Sequence, residues 1–193
     1  MIYPNNQPSE LIEQISKVFL YKYNRNFNDF LDSCLLVLES KEKEYMELVE
    51  RIGKETIREY AHLFGLLLEF FYIEQKYWDV LGYCYMRIFS KRMKGNDEAY
   101  TPFNICRAMV AISDPKPKDK ICDPCLGSGA FLIAVKEHWW LKHKYNSSIN
   151  LYGMDIAPHA IKMAKIQNLL TNYNYMGLLL LRNTLKLTNK EDQ

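Results

Sequence analysis

The stretch Asp123-Pro124-Cys125-Leu126-Gly127-Ser128-Gly129-Ala130-Phe131 constrains the fold of this chain more than any other. It follows a short strand-like segment, Lys120 to Asp123, and opens an apolar helical run from about Ala130 to Lys144. Two glycines between a strand and a helix let the backbone turn sharply and bring amide N–H groups at the helix start toward a ligand. Any tight strand-to-helix turn favours glycine, so the glycines alone name no ligand.

The segments downstream repeat the same grammar. A strand is expected at Asn150 to Met154, a helix from about Pro158 to Asn172 and a strand at Leu178 to Leu181. This βαβαβ alternation predicts a parallel, doubly wound sheet. Upstream, Thr101-Pro102 predicts a helix start, with Thr101 as the cap and Pro102 at the first helical position. That helix would run through Ile105, Ala108, Met109 and Ile112 and stop at Asp114-Pro115-Lys116-Pro117.

From Ser9 to about Ser90 the pattern is helical, with almost no proline or glycine punctuation. Tyr45, Leu48, Val49, Ile52, Tyr60, Leu63, Phe64 and Leu67 recur at three- and four-residue steps, with Glu47/Arg51 and Glu50/Lys54 on the wet side. The run Phe64 to Ile73, interrupted by Glu69, is half the length of a membrane span and reads as a buried helix. Lys91 to Glu98 loses apolar periodicity and reads as a linker. The expected organisation is therefore a helical bundle over 1–95 and an α/β unit over 96–193.

Charge separates the halves. Residues 1–99 carry 13 basic and 16 acidic side chains, residues 100–193 carry 12 and 7, so the second half better suits an anionic partner. Cys34, Cys84, Cys106, Cys122 and Cys125 make no even framework, and no secretory signal opens the sequence, so a reducing cytoplasmic setting is expected. Cys122 and Cys125 form a lone C-x-x-C without a second metal pair, which argues against zinc. His62, His138, His143 and His159 show no ligand spacing. Of the adjacent Trp139 and Trp140, one should face the core. Lys91, Arg92 and Lys94, Lys116, Lys118 and Lys120, and the Tyr173 and Tyr175 rings are weak candidates for nucleic-acid contact; solvated lysines and a polar loop explain them as well.

Asp155 ends the second strand, in Tyr152-Gly153-Met154-Asp155-Ile156. A carboxylate there can accept ribose hydroxyls, and an aspartate ahead of Pro158 can equally cap the next helix. The dinucleotide fingerprint lacks its third glycine, because Phe131 and Leu132 follow Ala130, and no G-K-[ST] is present. An acid ahead of the glycines, Asp123, suits a cationic ligand group such as the amino group of S-adenosylmethionine.

Tyr100-Thr101-Pro102, Asp123-Pro124-Cys125-x-Gly127-Ser128-Gly129-x-Phe131-Leu132-Ile133 and Gly153-x-Asp155-Ile156, in this order, resemble the adenine-specific N6 DNA methyltransferases, particularly modification subunits of type I restriction systems. Trp78-Asp79-Val80-Leu81-Gly82-x-x-Tyr85-Met86 resembles the entry to that family's catalytic domain. The resemblance covers about residues 78–185. It implies a helical N-terminal region followed by a truncated Rossmann-like, S-adenosylmethionine-dependent methyltransferase sheet. Thr101 and Pro102 would border the methionine end of the cofactor. Asp123 and the loop of Gly127, Ser128 and Gly129 would hold its amino acid moiety, Asp155 its ribose and Ile156 its adenine, with Pro124 and Phe131 also among the cofactor-binding residues. Asn183, in Arg182-Asn183-Thr184-Leu185, stands where the family usually has an aspartate.

The family's base-gripping (Asn or Asp)-Pro-Pro-(Tyr or Phe) segment has no counterpart, since no two prolines of this sequence are adjacent. The resemblance therefore implies a DNA adenine N6-methyltransferase that needs a second protein subunit for base binding, with DNA as partner and no membrane. The alternative is a non-catalytic cofactor-binding or regulatory remnant that acts by protein association.

Overall fold

The computed structural model describes residues 10–18, 27–74, 76–89, 100–116, 118–143 and 150–171, and the backbone of 177–181. The helical half comprises α1 (Glu10–Val18), α2 (Phe27–Leu38), α3 (Glu42–Ile52), α4 (Lys54–Leu68) and α5 (Val80–Phe89). The second half runs α6 (Phe103–Ser113), β1 (Lys120–Asp123), α7 (Ala130–His143), β2 (Asn150–Asp155), α8 (Pro158–Leu170) and β3 (Gly177–Leu181). The expected boundary at 95/96, the Lys91 to Glu98 linker and the Thr171 to Tyr175 loop beyond its first residue lie outside the described residues.

The expected amphipathic stripe is borne out at Leu48, Tyr60, Leu63 and Leu67, which are buried, while Glu47, Glu50, Arg51 and Lys54 are exposed. Gly53 supplies one of the few punctuation marks in this half. It stands at φ +89 between α3 and α4, a backbone conformation that side chains rarely adopt, and so turns one helix into the next. The Phe64 to Ile73 run is not one buried α-helix. Its last five residues, Glu69–Ile73, form a π-helical turn that buries Phe70 and Phe71 and leaves Ile73 78% exposed.

The three strands are parallel, in the order β1-β2-β3, and join through α7 and α8 as the alternation predicts. Asp123 pairs with Gly153, which places the carboxyl ends of β1 and β2 side by side, with Asp155 two residues further along. Gly153 allows this crossing to close, since a Cβ there would lie 2.6 Å from a Leu126 methyl. Trp139 is fully buried and Trp140 half-buried at the edge of the same core.

Helix α8 holds the two halves together. It contacts α2 and α5 on one side and α7, β2 and β3 on the other. Met163, Ile166 and Leu170 join the core of the helical half, whereas Ile161 and Ala164 join the core formed with α6, α7 and the sheet. A helix apolar on nearly every face must be buried on nearly every face. Among the described residues, no helix is long and apolar enough to cross a membrane.

Helix α6 departs from expectation. It begins at Phe103, so Pro102 occupies the cap position and Thr101 makes no cap hydrogen bond. Proline has no N–H and its fixed φ of −55 leads into the helix, so the chain begins the helix one residue later than the Thr-Pro reading predicts. Ile105, Met109 and Ile112 lie on its exposed face. The buried face carries Phe103, Cys106, Val110 and, unexpectedly, Arg107.

Candidate functional site

The glycine turn sits at the carboxyl ends of β1 and β2, where ligands bind in open parallel sheets. Its amides are not all turned outward. Gly127 N donates to Asp155 Oδ2 at 2.8 Å, Leu126 N to the Met154 carbonyl at 2.9 Å and Gly129 N to the Leu126 carbonyl at 2.9 Å. The turn is thus knitted to itself and to β2, which corrects the picture of a loop presenting free amides. Gly127 (φ +54) and Gly129 (φ +89) both adopt left-handed backbone. A Cβ at Gly129 would also press on the α8 backbone at Ala164, 3.2 Å away.

Asp155 meets its expected helix-entry role in part. Its Oδ1 accepts from Ala157 N at 2.8 Å and tightens the entrance to α8, although the cap position itself is Ala157. Each carboxylate oxygen thus accepts one backbone N–H and retains a lone pair for another donor. Asp123 lies on the neighbouring strand end, half-buried, and accepts from Cys125 N at 3.0 Å. Burial pushes its pKa up and the nearby Asp155 charge pushes the same way, against the Cys125 hydrogen bond. The two carboxylates stand at neighbouring strand ends, close enough for the Asp155 charge to act on Asp123, an arrangement that favours a cation or a donor-rich ligand.

Other expected residues gather around the same turn. Tyr100 lies over it, so that a Cβ at Gly127 would stand 3.1 Å from the Tyr100 ring. Tyr100 packs on Tyr85 at 5.5 Å, and Tyr85 stacks on His159 at 4.8 Å, linking the Thr-Pro segment to α5 and to the start of α8. Thr101, Pro102 and Pro124 are exposed, and Phe131 is half-buried on α7. Ile156 is 63% exposed, an apolar side chain presented at the strand end. Asn183 lies outside the described residues. A cavity of about 200 Å³ runs beside Thr101 and Pro102, floored by Asp79 and Gly82. A larger groove of about 580 Å³ lies between α2, α3 and α8, away from both carboxylates. It is crossed by the pairs Lys162–Asp32 and Lys165–Glu39, which leave it no net charge character.

Sequence reasoning gave Asp79 no role beyond its place in the Trp78 to Met86 segment, and missed Gln167. Asp79 Oδ2 accepts from Ser128 Oγ at 2.6 Å, and its Oδ1 from Gln167 Nε2 at 2.8 Å and Gly82 N at 3.0 Å. The Asp79-x-x-Gly82 spacing ahead of a helix was a cap signal in plain view. Among the described residues no group of acids, histidines and cysteines could hold a metal.

A family model described as N-6 DNA Methylase matches residues 76–193. The chain belongs to the N-6 DNA methylase family. Two methylase subunits from Methanocaldococcus jannaschii, of the type I restriction enzymes MjaVIII and MjaVII, are each 28% identical to it. The matches span 120 and 148 residues, or 56% and 75% of this chain but only 21% and 24% of the relatives. The chain thus spans about a quarter of the length of the curated relatives it matches. A crystal structure of a modification subunit of a putative type I restriction enzyme from Vibrio vulnificus YJ016 aligns at a TM-score of 0.46 and 23% identity, over 54% of this chain and 23% of that one.

Proposed function

We propose that this member of the N-6 DNA methylase family binds S-adenosylmethionine at the ends of β1 and β2. It would serve as the cofactor-binding part of a DNA adenine N6-methyltransferase of restriction–modification type. The observation that carries the reading is the Asp123/Asp155 pair at neighbouring strand ends, with Asp155 pinned to Gly127 N. In this reading the sheet is the first part of a Rossmann-like methyltransferase sheet and residues 96–193 form the cofactor-binding unit, with 1–95 as its helical companion.

The residues present fit the group. Asp123 would accept from the ammonium of the methionine moiety. Asp155 would accept from the ribose hydroxyls, Ile156 would cover one face of the adenine, and Thr101 and Pro102 would border the methionine end. Pro124, Ser128 and Phe131 would shape the turn around it, and Asn183 would complete the adenine edge. When bound, the cofactor supplies an activated methyl group. The chain's own task is orientation, because in-line displacement depends on holding the acceptor nitrogen behind the methyl carbon.

No Pro-Pro pair stands in these residues to grip a flipped adenine, so base binding would come from a segment outside them, on a partner protein or elsewhere, with DNA as the shared substrate. The same observation supports a second reading, a non-catalytic module that binds the cofactor and acts by association. Calorimetric titration with S-adenosylmethionine tests the common premise. Wild type should bind and Asp155→Ala should lose most of the affinity, whereas equal behaviour of the two refutes the site. Tritiated methyl transfer to adenine-containing DNA by the pure chain then separates the readings. Incorporation above background would remove the need for a partner.

A further inference from the structure

Outside the strand-end carboxylates, Asp79, the residue immediately before α5, is a buried carboxylate held by hydrogen bonds from three different residues. Ser128 is 1% exposed, Gln167 0% and Asp79 6%, yet every polar side-chain atom of the three is engaged. Gln167 Nε2 donates both to Asp79 Oδ1 at 2.8 Å and to the Ser128 carbonyl at 2.9 Å. Its Oε1 accepts from Leu81 N at 2.9 Å. Ser128, the middle residue of the glycine turn, is therefore gripped twice, by its hydroxyl and by its carbonyl. The grip comes from the start of α5 and from the middle of α8. Gly82 makes room for it, since a Cβ there would lie 2.1 Å from Asp79 Oδ2 and 2.4 Å from Ser128 Oγ.

We propose that Asp79, acting through Ser128 and braced by Gln167, is a positioning residue that sets the glycine turn for ligand binding. The helical half thereby helps to shape the cofactor crevice. This rests on the reading of the strand ends as the S-adenosylmethionine site. Three lines of geometry support it. The turn's other tethers, Gly127 N to Asp155 and Gly129 N to the Leu126 carbonyl, fix its two ends and leave Ser128 to this network. The donors to Asp79 are all neutral, so its carboxylate is there as a multiple acceptor rather than as half of an ion pair. The 200 Å³ cavity beside Thr101 and Pro102, the segment expected to border the methionine end of the cofactor, is lined by Asp79 and Gly82 themselves, so a shift of the network moves the wall of that cavity.

The test combines hydrogen exchange and a double-mutant cycle on the full chain. Without ligand, amide exchange across residues 126–130 should quicken in Ser128→Ala and Asp79→Ala, while exchange in α3 and α4 stays unchanged. With S-adenosylmethionine, each single variant should bind about tenfold more weakly, the loss expected of one hydrogen bond to a charged group. The double variant should be no weaker than the worse single one. Additive losses, or a turn whose exchange does not change, would overturn the proposal. If Asp79→Ala does not fold, Ser128→Ala and Gln167→Met carry the same cycle. Asp79→Asn, which can still accept from Gly82 and donate to Ser128, should restore most of the affinity. If wild type binds no cofactor, the functional reading falls. The grip on the turn is then judged by exchange alone, and unchanged exchange refutes it.

Discussion

The molecule buries two anionic side chains in contrasting ways. Glu137 on α7 faces Arg107 on α6 in a two-pronged ion pair, 2.6 and 2.7 Å long, with both side chains almost fully buried. The guanidinium also lies over the Phe103 ring at 4.6 Å and near Trp78 at 5.6 Å. Asp79, by contrast, meets only an amide, a hydroxyl and a backbone N–H. Burial pushes both carboxyls above the usual range, offset for Glu137 by the Arg107 hydrogen bonds and charge and for Asp79 by neutral donors. The first arrangement fixes how two helices pack. The second spends a buried charge on holding one turn, which is a poor way to stabilise a fold and a good way to specify a geometry.

Breaking the ion pair should have the largest effect. Arg107→Ala leaves Glu137 buried without its cation, and chemical denaturation should show a loss of about 3–5 kcal/mol. Replacing both partners by apolar residues, Arg107→Met with Glu137→Leu, should recover most of that loss. If the double variant is as unstable as the single, the pair does more than neutralise itself.

Crowding the Asp79 network should come next. Gly82→Ala forces a methyl group between Asp79 and Ser128 and should cost roughly 1–3 kcal/mol. It should also increase the exchange of residues 126–130, which Arg107→Lys should leave alone.

Lys136 sharpens the comparison from the cationic side. It is fully buried on α7 and donates to the Asn168 carbonyl at 2.7 Å and to Thr171 Oγ1 at 3.1 Å, closing the end of α8. Burial pushes its pKa down to about 7 from an ordinary value of 10.5. The folded state then resists a proton that the unfolded chain accepts. Its contribution to stability is complete above 10.5 and is lost as pH falls toward 7, at up to about 1.4 kcal/mol per pH unit. Urea denaturation at pH 9 and pH 7 should show this difference in wild type and a much smaller one in Lys136→Met.

Local signals predicted the architecture and missed the contacts that join its parts. The strand–glycine–helix turn, the βαβαβ order and the placing of Asp155 at a strand end all depend on neighbouring residues, and the structure has each. The failure at Thr101-Pro102 is a displacement of a helix boundary, where one residue's backbone preference decides the outcome. Arg107 and Glu137 lie thirty positions apart, and Asp79 and Gln167 eighty-eight. A charged residue on a helix reads as exposed until its partner is known, so both clusters were invisible to periodicity.

The contrast between the two clusters reduces to one measurement: calorimetric S-adenosylmethionine affinity for Ser128→Ala and Arg107→Lys, taken at a temperature where both are folded. The account predicts that Ser128→Ala loses about tenfold in affinity, equivalent to one charged hydrogen bond, while Arg107→Lys loses stability and keeps wild-type binding. If affinity instead follows stability across the two variants, the glycine turn has no dedicated support and the account is wrong.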